Sequence, residues 1–124
     1  WVVGSVRVLK VPVPDQVAIL AVATLRGLGQ VPLQPPNVSG WPSGQAWLST
    51  ASAQTRAAAA QRLVRAADLA VVADAAPAAR TDALAHLLGL PSFTARTLTA
   101  LQTAKGDPAA LTAIGLVSPE YQVA

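Results

Sequence analysis

Four prolines and three glycines between residues 29 and 46 divide this chain of 124 residues into two parts. So many helix breakers exclude a helix or a central strand from this stretch. The sequence on either side is rich in alanine and leucine, which favour helices. We therefore expect helical segments connected by one long loop rich in proline, glycine and tryptophan.

The composition favours an all-α fold in a single domain. The chain contains 27 alanines and 16 leucines but only five aromatic residues, and 12% of its residues are charged. Its length suits one domain, and so low a charge argues against long disorder. We expect residues 1–124 to form a single helical domain, an irregular bundle of five or six helices.

The segment before the loop contains a helix that is apolar on more than one side. Asp15, which follows a proline, is typical of a helix start, and Gly27 or Gly29 is typical of a helix end. One stripe of this helix carries Val17, Leu20, Ala21, Thr24, Leu25 and Leu28. Because Ile19 and Val22 lie outside that stripe, we expect a partner segment to cover a second side.

A long alanine-rich helix follows the loop. Ser49 or Thr50 can cap this helix, and the helical pattern continues to about Leu69. Small residues along one side would let another helix approach closely, and they are Ala53, Ala57, Ala60, Val64 and Ala67.

Shorter helices fill the remainder of the chain. Residues 70–80 are expected to hold the end of the long helix and a turn around Pro77. The expected helices then run from Thr81 to Leu88, from Ser92 to about Ala104, and from Asp107-Pro108 to about Val117, with a last turn from Ser118-Pro119. Residues 1–13 fit a strand and one helical face equally well.

Several function classes are disfavoured by what the chain lacks. Without cysteine it has no disulfide, thiol nucleophile or thiolate metal site. Its one basic cluster, Arg56, Arg62 and Arg65, has no aromatic residue nearby, so we do not expect a nucleic-acid partner. No apolar run is long enough to predict a membrane span. Because the chain begins at Trp1 and contains no methionine, we expect it to be a fragment of a longer protein.

Residues 35–47 read PPNVSGWPSGQAW. This segment resembles the PPNVxGWPxGxxW signature of a large bacterial family, the domain-of-unknown-function family 1800. The flanks are also similar to the family pattern, with GQ and PL within residues 29–33, ST at 49–50 followed by Arg56, and SPEYQ at 118–122 where the family has SPEFQ.

The resemblance has four implications. It implies that residues 1–10 form a helix, which their own periodicity leaves open. It implies that the chain is the C-terminal part of a protein several times longer, so that the remainder of the parent chain is a partner. It also implies an exported or periplasmic bacterial protein. It supplies no reaction, catalytic residue or cofactor.

The loop is the candidate ligand-binding region. Asn37 can form an Asx-turn and Gly40 permits a positive φ, so the loop can be ordered before a ligand binds. Aromatic rings and polar groups on such a loop suit a polysaccharide or another cell-envelope polymer. The candidate residues are Asn37, Trp41, Gln45, Trp47 and Arg56.

A structural interpretation of the same residues is favoured over the binding one. In it, the indoles of Trp41 and Trp47 fill a gap between helices. Arg56 can either clamp an anionic ligand or stack on an indole and hold the loop closed, and we favour the stacking role.

Neither a catalytic nor a metal-binding residue is predicted. The single histidine, His86, follows Asp82 by four residues, which predicts a pair on the surface of one helix. No nucleophile or further metal ligand lies nearby in sequence. Four of the six acids lie at predicted helix starts, where the helix dipole accounts for them, and they are Asp15, Asp82, Asp107 and Glu120.

The preferred function is therefore a structural or interaction module of an exported bacterial protein. Two alternatives remain. The tryptophan-rich loop can bind a polysaccharide or envelope polymer, or the chain can form one wall of an enzyme site that the rest of the parent protein completes.

Overall fold

The computed structural model describes residues 1–35, 37–41 and 49–122, and within these residues the chain forms eight helices. They are α1 (Val2–Val8), α2 (Asp15–Gly27), α3 (Thr50–Leu63), α4 (Ala70–Ala73), α5 (Arg80–Leu87), α6 (Ala95–Gln102), α7 (Pro108–Leu116) and α8 (Pro119–Gln122). In the same residues, β-structure is limited to one isolated antiparallel bridge, between Asn37 and Gly40. The all-α prediction is confirmed.

The number of helices corrects the expectation of five or six. The alanine-rich helix α3 ends at Leu63 instead of continuing to about Leu69, and α4 is a separate single turn. The backbone N–H of Asp68 donates to the carbonyl oxygen of Leu9 at 3.2 Å, while its carboxylate accepts from the N–H of Ala70 at 3.1 Å. These bonds tie the chain to the end of α1 and start α4, which overrides the helix propensity of the alanines.

Two predicted helix caps are also wrong. α5 begins with Ala79 at its N-cap position, and Thr81 is a buried residue within the helix. α6 is capped by Thr94 instead of Ser92, because the Thr94 hydroxyl accepts from the backbone N–H of Thr97 at 3.5 Å.

Other local predictions are confirmed. Residues 2–8 are helical, as the family resemblance implied. The Asp107 carboxylate caps α7 by accepting from the N–H groups of Ala109 and Ala110 at 2.9 and 3.1 Å. Gly89 follows α5 with a φ of +70°, which is the left-handed conformation that commonly ends a helix.

The hydrophobic core surrounds α7. This helix contacts α3, α5, α6 and α8, and the largest fully buried side chains are Leu9, Leu84, Leu101, Leu111 and Leu116. Gly115 lets α5 approach, since a Cβ atom added there would lie 2.7 Å from Cδ2 of Leu84. α7 therefore links α3, α5, α6 and α8.

α2 packs against α1 and α3 along the predicted stripe. Thr24 and Leu28 are buried, Val17 and Leu20 are half-buried, and Ile19 is 68% exposed. At the contact with α3, a Cβ atom added to Gly27 would lie 2.9 Å from Cγ2 of Thr55, so the two backbones come close there.

The inward side of α3 differs from the predicted small-residue stripe. Ala53 is exposed and Ala57 is only half-buried. The residues that α3 and its C-cap bury are Ser52, Arg56, Ala59, Ala60, Leu63 and Val64. Only Ala60 and Val64 belong to both sets, because the helix is rotated so that an arginine and a serine face inward.

Candidate functional site

The loop begins with a tight end to α2. The backbone N–H of Gly29 donates to the carbonyl oxygen of Arg26 at 3.0 Å, and that of Gln30 donates to Leu25 at 2.8 Å. Gly29 has a φ of +66°, so these bonds form a Schellman motif. The motif fixes the direction in which the chain leaves the helix, as the glycine at this position predicts.

A second turn orders the centre of the loop. The Asn37 side-chain oxygen accepts a hydrogen bond of 2.9 Å from the backbone N–H of Ser39, which is the predicted Asx-turn. The backbone N–H of Gly40 donates to the Asn37 carbonyl oxygen at 3.1 Å, and Gly40 has a φ of +91°. Since only glycine adopts this φ without strain, Asn37 and Gly40 together define the shape of the turn.

Trp41 follows this turn directly and is 42% exposed. The favoured structural interpretation required this indole to be enclosed between helices. Its exposure contradicts that expectation for Trp41. Val38, at the tip of the turn, is fully exposed. Two of the candidate residues, Gln45 and Trp47, lie outside the described residues. Residue 36 and the other residues of 42–48 also lie outside them, so the structure describes only residues 35 and 37–41 of the signature.

Arg56 lies in a different environment from Asn37 and Trp41. It is only 8% exposed and belongs to the inward side of α3. Burial lowers the pKa of its guanidinium. Because arginine stays charged in proteins, this buried side chain is a fixed positive charge inside the domain. The structure thus places Asn37 and Trp41 together on an exposed turn and Arg56 within the helix packing.

The acid–histidine pair predicted on α5 lies beside a groove. Asp82 and His86 are both exposed, and they line a cavity of about 290 Å³ together with Ser92 and Phe93. In the part of the chain that the structure describes, no hydrogen bond or ion pair links Asp82, His86 and Ser92, so the predicted contact between Asp82 and His86 does not form. The three side chains share a groove without the contacts of a catalytic triad.

Glu120 has a role that its sequence position did not indicate. Its carboxylate accepts hydrogen bonds from the backbone N–H of Thr94 at 2.9 Å and from the hydroxyl of Thr97 at 3.0 Å. It therefore caps α6 from another helix, whereas the sequence suggested an interaction with the dipole of its own helix.

The same hydrogen bonds change the acidity of Glu120. Burial raises the pKa of this carboxyl group, but hydrogen bonds from Thr94, Thr97 and its own backbone lower it more, so the pKa falls from 4.5 to about 2. Glu120 is consequently a charged structural cap at neutral pH and not a proton donor.

Two further polar contacts join distant segments. The Trp1 indole N–H donates to the Leu116 carbonyl oxygen at 2.7 Å. The Arg80 guanidinium donates to the carbonyl oxygens of Lys105, Ala73 and Ala75 at 2.8, 3.2 and 3.3 Å. No sequence signal could have predicted the contacts of Trp1 and Lys105, because the bonded residues are 115 and 25 positions apart.

The described residues contain no group of three or more histidines, cysteines, aspartates or glutamates that could hold a metal ion. Within the same residues, none of the helices is both long and apolar enough to cross a membrane.

These features define an all-helical fold whose described helices are tied together by side-chain caps, with an exposed turn at residues 37–41. The chain belongs to the family described as protein of unknown function, DUF1800, whose model matches residues 1–123. Comparisons with curated proteins and with solved structures found no match.

Proposed function

We propose that this chain is a structural or interaction module of an exported bacterial protein. The observation that carries the proposal is the uneven distribution of exposed apolar side chains. Within the described residues, eight large apolar side chains are strongly exposed, and seven of them lie in residues 3–41. These seven side chains, here called the apolar surface, are Val3, Val13, Ile19, Val22, Leu33, Val38 and Trp41. Apolar side chains that stay exposed in one part of a chain are candidates for contact with a partner.

The polar side chains support the structural part of the proposal. Asp68, Asp107 and Glu120 each accept hydrogen bonds from the start of a helix, and Arg80 donates to three backbone carbonyls. Charged groups used in this way hold helices together and are occupied within the fold. The export part of the proposal rests on the family resemblance.

Thiol labelling in the full-length protein tests whether the apolar surface is covered. This chain has no cysteine, so Ile19→Cys and Val71→Cys can each provide a single reporter in it. Val71 is the matched control, because it is 50% exposed and lies outside residues 3–41. We expect a polar maleimide to label Ile19→Cys much more slowly in the native protein than in urea.

The control reporter should behave differently. Val71→Cys should react at similar rates in the native protein and in urea. Equally fast native labelling of both cysteines would show that nothing covers the apolar surface, and would contradict the interaction role.

The exposure of Trp41 favours a second candidate function, the binding of a polysaccharide or envelope polymer by the loop. Its indole is 42% exposed beside a turn that Asn37 and Gly40 order. Such a ring can stack on a sugar at little entropic cost to the loop. A glycan array probed with the full-length protein should then show binding that Trp41→Ala abolishes. Leu33→Ala, at another exposed position of the same loop, should keep it, and no binding by the unmodified protein would exclude this function.

A further inference from the structure

We propose that the outer side of α2 binds the same side of α2 in a second copy of this chain. The two helices would pair in antiparallel orientation around a two-fold axis. This inference rests on the proposed interaction role and names the partner for one part of the apolar surface.

The outer side of α2 carries a regular stripe of exposed residues. Asp15, Ile19, Val22 and Arg26 follow one another at spacings of four, three and four residues, which places them along one side of a helix. Ile19 and Val22, at the centre of the stripe, are 68% and 43% exposed. The other side of the helix packs on α1 and α3.

The stripe is complementary to itself when it is reversed. Residues 15 and 26 are equally distant from the centre of the stripe, and so are residues 19 and 22. In an antiparallel pair, Ile19 therefore lies opposite the partner's Val22. Asp15 then lies opposite the partner's Arg26. Within one copy of α2, Asp15 and Arg26 are about 16 Å apart along the helix axis. One stripe thus supplies an apolar centre and an ion pair at each end.

This arrangement favours a second copy over an unrelated partner. A two-fold interface requires one surface to be complementary to itself, and the stripe has one acid, one base and matching apolar positions. The helix dipole alone explains an acid in the first turn and a base in the last turn. It does not explain why both charges lie in line with the exposed Ile19 and Val22. Ala18 and Ala23, which flank the stripe, are small and exposed, so the helices can come close.

The interface is small. A helix of 13 residues buries less than the roughly 800 Å² per partner of a standard protein–protein interface. We therefore expect a dissociation constant on the order of micromolar.

Sedimentation velocity of the full-length protein over a range of concentrations tests the proposal. In the proposed dimer, residue 15 of each copy faces residue 26 of the other. Asp15→Arg or Arg26→Asp therefore creates two repelling pairs per dimer. Each substitution should raise the dissociation constant about tenfold. The double variant Asp15→Arg/Arg26→Asp restores opposite charges across the interface and should return the dissociation constant toward that of the unmodified protein.

The double variant also separates association from helix stability. It keeps both charges at the unfavourable ends of the α2 dipole, so improved folding cannot explain a recovered dimer. Circular dichroism of each variant checks that the helices are retained. Ile19→Glu should abolish the dimer, and the matched control Val71→Glu should leave it unchanged.

Each remaining outcome is decisive. A monomer at every concentration, or a dimer that Ile19→Glu leaves intact, would overturn the proposal. Labelling of Ile19→Cys that is slow and independent of concentration would show that another part of the same protein covers α2. That result would overturn the dimer and leave the interaction role standing, whereas labelling that stays fast at concentrations well above the expected dissociation constant would overturn both.

Discussion

The indole N–H of Trp1 donates a hydrogen bond of 2.7 Å to the carbonyl oxygen of Leu116. This bond joins the start of α1 to the last turn of α7, the helix around which the core is built. The N-terminal helices, which carry the exposed Val3, Ile19 and Val22, are therefore attached to the core by a directional contact as well as by packing.

Replacing Trp1 by phenylalanine should lower the free energy of unfolding by about 1 kcal/mol, since the aromatic packing is partly kept but the Leu116 carbonyl loses its donor. Urea denaturation measures the effect. Trp41→Phe is the matched control, because that ring is 42% exposed, and it should change the stability by less than about 0.5 kcal/mol. Equal effects of the two substitutions would show that the bond from Trp1 contributes nothing.

Glu120 should make stability depend on pH in the acidic range. Its folded pKa of about 2 lies below its ordinary value of 4.5, so the carboxylate stabilises the fold above pH 4.5 and loses this contribution as the pH falls toward 2. The difference in unfolding free energy between the unmodified protein and Glu120→Gln should shrink over that interval. Because the group is near the surface, solvent screening keeps the difference at about 1 kcal/mol or less.

Thr97→Val identifies the origin of this pH dependence. It removes the hydroxyl that donates to the Glu120 carboxylate at 3.0 Å, so the pKa of Glu120 measured by NMR should move up toward its ordinary value. An unchanged pKa would show that this hydroxyl has no part in the shift.

Gly115→Ala should destabilise the core. The new methyl group would lie 2.7 Å from Cδ2 of Leu84 and 3.1 Å from Cδ1 of Leu88, and Leu84 is fully buried. Overpacking of this kind costs about 1–3 kcal/mol, which exceeds the gain of up to about 1 kcal/mol in helix propensity. Thermal unfolding should show a lower Tm. Gly106→Ala is the control, because a Cβ there has no neighbour within 4 Å, and its Tm should not fall.

Gly40→Ala tests whether the loop turn requires glycine. A Cβ at this position meets no atom within 4 Å, so the cost comes only from the φ of +91°. We expect a loss of about 1 kcal/mol in unfolding free energy, measured by urea denaturation. A neutral effect would show that the turn accommodates an ordinary residue and is not rigid.

The sequence predicts the ends of helices and the turns that depend only on neighbouring residues. Asp107 with Pro108 starts α7, and Gly29, one of the two glycines expected to end α2, forms its C-terminal motif. Both predictions succeed because capping and positive φ involve atoms only a few residues apart. The Asx-turn at Asn37 was predicted for the same reason.

Features that depend on distant contacts were not predictable. α3 ends early because Asp68 bonds to the end of α1, and the side of α3 that faces inward buries Arg56 instead of a row of alanines. Of the candidate site, the sequence predicted the shape of the turn at Asn37. The burial of Arg56 depends on which side of α3 packs inward, and neither this burial nor the exposure of Trp41 is encoded by a single segment.

The central claim is that the part of the apolar surface that lies on α2 is covered in the assembled protein. The stability of the Ile19→Ser variant tests this claim most directly. At an uncovered position with 68% exposure, this substitution should change the unfolding free energy by less than about 0.5 kcal/mol. Our account predicts a loss greater than about 1 kcal/mol in the full-length protein at a fixed concentration, because a buried isoleucine contributes to stability on this scale. Val71→Ser should remain within about 0.5 kcal/mol. Equally small effects of both substitutions would contradict the account.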